Sequence, residues 1–85
     1  VKGVIMTKNE ILEKLKDMVC EQLRLERDAV QLETEIIKGL GADSLDLVEL
    51  LMNVEAEWNI IVDDSEVGDL RLVSDVVDMI ERKIK

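Results

Sequence analysis

Ile11, Leu12, Leu15, Met18, Val19 and Leu23 recur at spacings of three and four, the pattern of one buried helix face. They predict a first helix over residues 8–25, capped by Thr7 or Asn9, with Glu10 and Lys14 as a favourable pair one turn apart. From residue 26 to 41 the period is lost. Leu25, Val30, Leu32, Ile36, Ile37 and Leu40 are irregularly spaced, and a long loop is expected, pinned to the bundle through Val30 and Ile36. Loops of that length are uncommon unless functional. A second helix is predicted over residues 44–58. Ile60, Ile61 and Val62 are β-branched, but with no second strand to pair they read as a connector. Asp63–Val67 reads as a single capped turn, broken by Gly68. Leu70, Leu72, Val73, Val76, Val77, Met79 and Ile80 mark a last helix. It is capped by Ser74 or Asp69 and closed by cations that suit a helix C-terminus, Arg82, Lys83 and Lys85. The expected fold is all-α: three main helices and one short one in a single domain over residues 6–85. Met6-Thr7-Lys8-Asn9-Glu10 looks like a natural beginning, so residues 1–5 are set apart as a remnant or extension.

The second helix is apolar on two sides. At about 100° per residue, Leu47, Leu50, Leu51, Val54 and Trp58 share one face, and Leu45, Val48 and Met52 lie roughly opposite. One stripe suffices for the core of a small bundle. The other is surrounded by Asp46, Glu49, Glu55 and Glu57. An apolar strip with a carboxylate rim suits a partner with an apolar groove and a basic edge. Alternatively, Val48 widens the core stripe and Leu45 and Met52 are scattered exposed apolars. Pattern alone leaves both open.

Composition narrows the chemistry. The net charge of −9 argues against nucleic acid and anionic membranes, which attract basic proteins. Hydrophobic residues make up 47%, too many for a disordered acidic tail. With no Phe, Tyr, His or Pro, the core must be aliphatic around a single ring, Trp58. The lack of histidine excludes a Ser-His-Asp triad and, with only Cys20, makes zinc improbable. A lone cysteine also excludes an internal disulfide, and Cys20 reads as a small hydrophobe. No apolar run approaches the roughly 18 residues of a membrane span. A cytoplasmic location fits, as does an organelle matrix. Asp63–Asp69 has the acidity of a calcium loop, but Val67 and Ser74 fall where oxygen ligands are needed. Weak, unspecific divalent binding is expected, with no specific metal site. Asp46 and Glu49 read as a solvated face, not an acid–base pair.

Ser44 stands where the glycine-containing Gly39–Gly41 segment enters the second helix. Asp-Ser at a helix entry is commonly only a cap. A hydroxyl there also lies near unpaired amides and the positive end of the helix, which favours an attached phosphate. The whole string Gly41-Ala42-Asp43-Ser44-Leu45-Asp46-Leu47-Val48-Glu49-Leu50 resembles the phosphopantetheine attachment site of acyl carrier proteins. The likeness to free-standing carriers of fatty-acid synthesis extends from about Ile11 to about Ile84. It implies the small carrier-type helical bundle and a 4′-phosphopantetheine arm, taken from coenzyme A and joined to Ser44 by a phosphodiester. It also implies a phosphopantetheinyl transferase and acyl-handling enzymes with basic patches as partners. The protein would be a monomeric carrier, not an enzyme. Asp43, Leu45, Asp46, Val48, Glu49, Met52, Glu55 and Asp64 fall at recognition positions. Acyl chains would lie among Leu50, Val54, Ile60, Val62, Leu70 and Val76, unless these side chains close a dry core. Three positions depart from the family pattern. Ala56 stands for a second glutamate, Asp63 for a proline and Trp58 for a phenylalanine. A carrier for a polyketide, aminoacyl or special lipid pathway fits the string as well. From another class, a small acidic adaptor with Ser44 only as an N-cap remains open.

Twenty acidic residues face eleven basic ones, so self-repulsion works against the folded state. Thermal melts should rise with sodium chloride, as screening shortens that repulsion to about 10 Å at 0.1 M. They should rise at lower concentrations of magnesium or calcium, with little difference between those two ions. A flat response to all three would contradict the repulsion argument.

Overall fold

The computed structural model describes residues 7–84, so the expected extension at residues 1–5 lies outside the described residues. In chain order come α1 (Lys8–Leu23), a 3-10 turn (Arg27–Ala29), α2 (Ile36–Leu40), α3 (Ser44–Trp58), α4 (Asp64–Val67) and α5 (Val73–Ile84). Thr7, not Asn9, caps α1. Its hydroxyl accepts from the Glu10 amide at 3.1 Å, and the Glu10 carboxylate accepts from the Thr7 amide at 2.9 Å, a reciprocal box that satisfies two end amides. The helix stops at Arg24, which turns left-handed with φ 57°, two residues short of the predicted end.

The segment expected to be a bare loop holds the 3-10 turn and α2. Five residues are too few to show a helical period. The helix is nonetheless anchored by Ile36 and Leu40, one turn apart and both buried, while Ile37 points outward. Gly39 packs closely on Thr34: a Cβ there would lie 2.8 Å from the Thr34 Cγ2, so the Thr34 side chain would have to shift. Val30 and Ile36 are buried as expected. Arg27 reaches back to the Glu13 and Asp17 carboxylates of α1, which holds the 3-10 turn against the bundle.

Backbone bonds stitch this segment to the start of α5. The Ile36 amide donates to the Arg71 carbonyl (2.9 Å), Val73 to Thr34 (3.0 Å) and Ser74 to Leu32 (2.9 Å). Glu35 and Leu72 form an isolated antiparallel bridge, and no strand occurs among the described residues. The stitching also corrects the expected cap of α5. Ser74 lies inside the helix, and Asp69 takes no capping role. The first helical amides find acceptors in the distant segment, and the Asp75 carboxylate accepts from the Arg71 and Leu72 amides at 3.1 and 2.9 Å. Tertiary acceptors thus replace the sequence-local cap.

α1 packs against α3 and α5. The core joins Ile11, Leu15 and Val19 of α1 to Leu47, Leu50, Leu51 and Val54 of α3 and to Val73, Val76, Val77, Met79 and Ile80 of α5. It is wholly aliphatic, with no buried polar side chain among the described residues. Trp58 is half-buried at its edge. α4 buries no residue. It is held by polar contacts: the Glu66 carboxylate accepts from the Asp63 amide and from Lys83 of α5, each at 3.0 Å.

The Asp63 amide, and after it the Lys83 ammonium, pull the Glu66 carboxyl below its ordinary value of 4.5. A carboxyl with a lower pKa in the folded than in the unfolded state stabilises fully above the unfolded value. That contribution fades as pH falls through the folded one. Thermal melts of Glu66→Gln should therefore fall less steeply below pH 4.5 than those of the parent chain. Equal acid slopes would show that Glu66 carries no such linkage.

Candidate functional site

The entry to α3 is built by two adjacent residues with different tasks. α2 ends at Gly41 in the left-handed conformation, φ 72°, which a side chain would resist. The buried Ala42 follows. Asp43 is the N-cap: its carboxylate accepts from the Asp46 amide at 2.9 Å, and the Asp46 carboxylate accepts from the Asp43 amide at 3.2 Å. Ser44 is the first helical residue and is exposed. Because Asp43 supplies the cap, the reading of Ser44 as merely an N-cap is overturned. Its hydroxyl stands in solvent at the positive end of a four-turn helix, which suits a phosphodiester. The turn is braced from α1, where the Gln22 carboxamide donates to the Asp46 carbonyl at 2.8 Å.

α3 presents its second stripe outward. Leu45, Val48 and Met52 are 74%, 47% and 60% exposed, whereas Leu47, Leu50, Leu51 and Val54 are buried. Val48 therefore does not widen the core. The carboxylates around the stripe differ in employment. Glu49 is exposed and enters no hydrogen bond or ion pair among the described residues. Asp46 is half-buried in the capping box. Glu55 is half-buried and accepts from the Val62 amide at 2.8 Å. Glu57 pairs with Lys14 of α1 at 2.7 Å. Asp64 is exposed at the start of α4.

A groove between α3 and α4 is lined by Val48, Leu51, Met52, Glu55, Val62, Asp64 and Val67. It gathers Val48, Met52, Glu55 and Asp64 of the anticipated recognition set. Asp43, Leu45, Asp46 and Glu49 lie outside it. Val67 was missed because α4 is too short to show a period. A second groove, between α1 and α3, is lined by Met18, Glu21, Gln22, Glu49, Met52, Asn53 and Glu57. Met52 is thus the ridge between the two.

The six residues anticipated along an acyl chain do not share one space. Val54 and Val76 are fully buried, and Leu70 is buried. Leu50 borders a narrow crevice with Val19, Leu23, Ile36, Ala42 and Leu47. Ile60 lines a groove beside Lys14, Trp58, Lys83 and Ile84, and Val62 lines the α3–α4 groove. Among the described residues no group of three or more His, Cys, Asp or Glu is placed to hold a metal ion, and the acidic run folds as α4 instead of a calcium loop. Burial pushes the Cys20 thiol up, with Lys16 opposing more weakly. No helix among the described residues is long and apolar enough to cross a membrane.

The family model described as a phosphopantetheine attachment site matches residues 13–80. The acyl carrier protein of Campylobacter fetus is 46% identical over 71 residues, 84% of this chain and 92% of that protein. Two solved structures share the fold. An acyl carrier protein of Thermotoga maritima superposes with a TM-score of 0.80 at 27% identity, covering 91% of this chain and 89% of that one. That of Enterococcus faecalis gives 0.77 at 27% identity, covering 92% and 99%. Set beside an uncapped, exposed serine at the mouth of α3, these likenesses place the chain in the acyl carrier protein family, whose members are carriers and not catalysts.

Proposed function

We propose that this chain carries acyl groups in fatty acid biosynthesis on a 4′-phosphopantetheine arm attached to Ser44, as a free monomer in the cytoplasm or an organelle matrix. The observation that carries the reading is the division of labour at α3. Asp43 holds the helix entry, so the Ser44 oxygen is free to be modified without cost to the cap. When bound, the arm supplies a terminal thiol on which an acyl group is held as a thioester. The chain's own residues do the rest. The Asp43–Asp46 box and Gln22 keep the Ser44 oxygen at a constant position relative to α3. Asp43 repels the phosphate locally, which favours an arm extended into solvent. Leu45, Val48 and Met52, with Glu49 and Asp64, meet partner enzymes by apolar contact with a charged rim. Docking on this constant surface raises the effective concentration of the cargo at each enzyme. Leu50, Val54, Ile60, Val62, Leu70 and Val76 form the apolar walls available to a chain once the helices part.

Incubation with a phosphopantetheinyl transferase and coenzyme A should add one arm per chain by intact mass, at Ser44 only. Ser44→Ala should stay unmodified and lose less than about 0.5 kcal/mol of stability, as an exposed residue outside the cap. A modified Ser44→Ala protein would defeat the assignment. Acylation of the loaded chain by a fatty acyl synthetase tests the pathway. Acceptance of only polyketide or aminoacyl units would move it elsewhere.

Docking should depend on the outer stripe more than on total charge. Met52→Ala or Glu49→Lys should slow arm loading several-fold with little change in melting temperature. Glu33→Lys, which makes the same charge change in the 30–35 segment, should leave it nearly unchanged. Equal losses for the two lysine variants would mean that only net charge matters.

A further inference from the structure

Glu55 differs from its acidic neighbours on α3 in serving the backbone that follows the helix. Its carbonyl accepts from the amide of Asn59, which turns left-handed at φ 54°, and from the amide of Ile60 at 3.1 Å. Its carboxylate accepts from the Val62 amide at 2.8 Å. Asn59 thus terminates α3, and the Glu55 side chain holds the connector that leads to α4. That bond adds to the partial packing of Ile60, Val62 and Val67 against the core. α4 is four residues long and buries none of them. Ile61 is 76% exposed, and Val62 and Val67 are only half-buried over the groove. On the far side of the connector, Glu66 is tied to the Asp63 amide and to Lys83. The connector is thus bound by a carboxylate at each end as well as by this packing, and the Glu55 carboxylate belongs to the groove lined by Val48 and Met52.

We propose that Glu55 is a positioning residue: its carboxylate latches Val62 to α3 and keeps the α3–α4 groove narrow, and a cationic side chain of an acyl-handling partner opens the groove by taking that carboxylate. A hydrogen bond to an ionised carboxylate is among the stronger ones. Without it, the half-buried Val62 amide must reach water or remain unsatisfied. Reaching water moves Val62 outward and uncovers the side of Leu51. Docking and access to the apolar interior would then be coupled through a single acceptor. The partner half of this proposal rests on the carrier reading; the latch itself does not.

Amide exchange measured by NMR on the unmodified chain tests both halves. Glu55→Asp keeps the charge but is one methylene short of Val62. It should speed exchange at Val62 by about 10- to 100-fold, the loss of one charged hydrogen bond, while core amides of α1 stay protected. Glu55→Gln keeps an acceptor oxygen at full length and should remain nearer the parent chain than Glu55→Asp. A protected Val62 in Glu55→Asp, or equal exchange in both variants, overturns the latch. Excess tetra-arginine peptide should raise Val62 exchange in the parent chain and add nothing in Glu55→Asp. A peptide that leaves the parent unchanged, bound or not, overturns the cationic trigger. Neither measurement uses arm or cargo, so their failure is distinct from a failure of Ser44 to be loaded.

Discussion

Burial of Leu47, Leu50, Leu51 and Val54 against α1 and the rest of the core fixes the rotation of α3 about its own axis. The other features of the carrier surface follow from that rotation. With these four side chains inward, Leu45, Val48 and Met52 can only face solvent, and Glu49 faces it beside them. A shift of one position along the stripe would bury Val48 and expose Leu47. It would also change which side of the helix entry carries the Ser44 hydroxyl. The rotation is pinned at the N-terminal end by the Asp43–Asp46 box and the Gln22 bond from α1. Glu57–Lys14 ties the other end to the same helix. That exposed ion pair contributes little energy, and the aliphatic stripe does most of the holding.

The acidic character of the chain has two uses that net charge conflates. Glu10, Asp43, Asp46, Glu55, Glu66 and Asp75 each accept from a backbone amide near a helix end. They serve as caps or clamps, satisfying donors that short helices leave unpaired. Glu49 and Asp64 have no such duty and present their charge outward. Short helices have proportionally more ends than long ones, and so need more acceptors. Part of the excess of carboxylates thus answers to the architecture, and part, Glu49 and Asp64 among it, stands exposed on the surface.

The three long helices were legible because their apolar spacing is regular over several turns, whereas angle alone left open whether Val48 belongs to the inner stripe of α3, and its exposure assigns it to the outer one. The string around Ser44 carries the family resemblance, and the structure adds that Asp43, not Ser44, is the cap. Other features were not readable. α2 spans five residues, fewer than the two turns a period needs. Glu55 falls at a recognition position, and the bond its carboxylate accepts from Val62, seven positions away, has no trace in the pattern. Nothing in a helical pattern reports a bond from a helix to the connector after it. The residues expected along an acyl chain share no one space: Val54 and Val76 are fully buried, and Leu50, Ile60 and Val62 border three different ones.

Local physics is written in adjacent residues. Helix periodicity, the Thr7–Glu10 box, the apolar content of a core without rings and the motif around Ser44 all follow from neighbours in the chain. These can be read from the chain because side chains within a turn of each other meet whatever the rest of the molecule does. Tertiary structure alone decided where α5 begins, since its first amides bond to Leu32 and Thr34, some forty residues earlier. It decided that the 32–36 segment is stitched to the start of α5 by backbone bonds, and which carboxylates face inward to backbone donors. These outcomes depend on groups far apart in sequence arriving at hydrogen-bond distance, and only the packing of α1, α3 and α5 sets that distance.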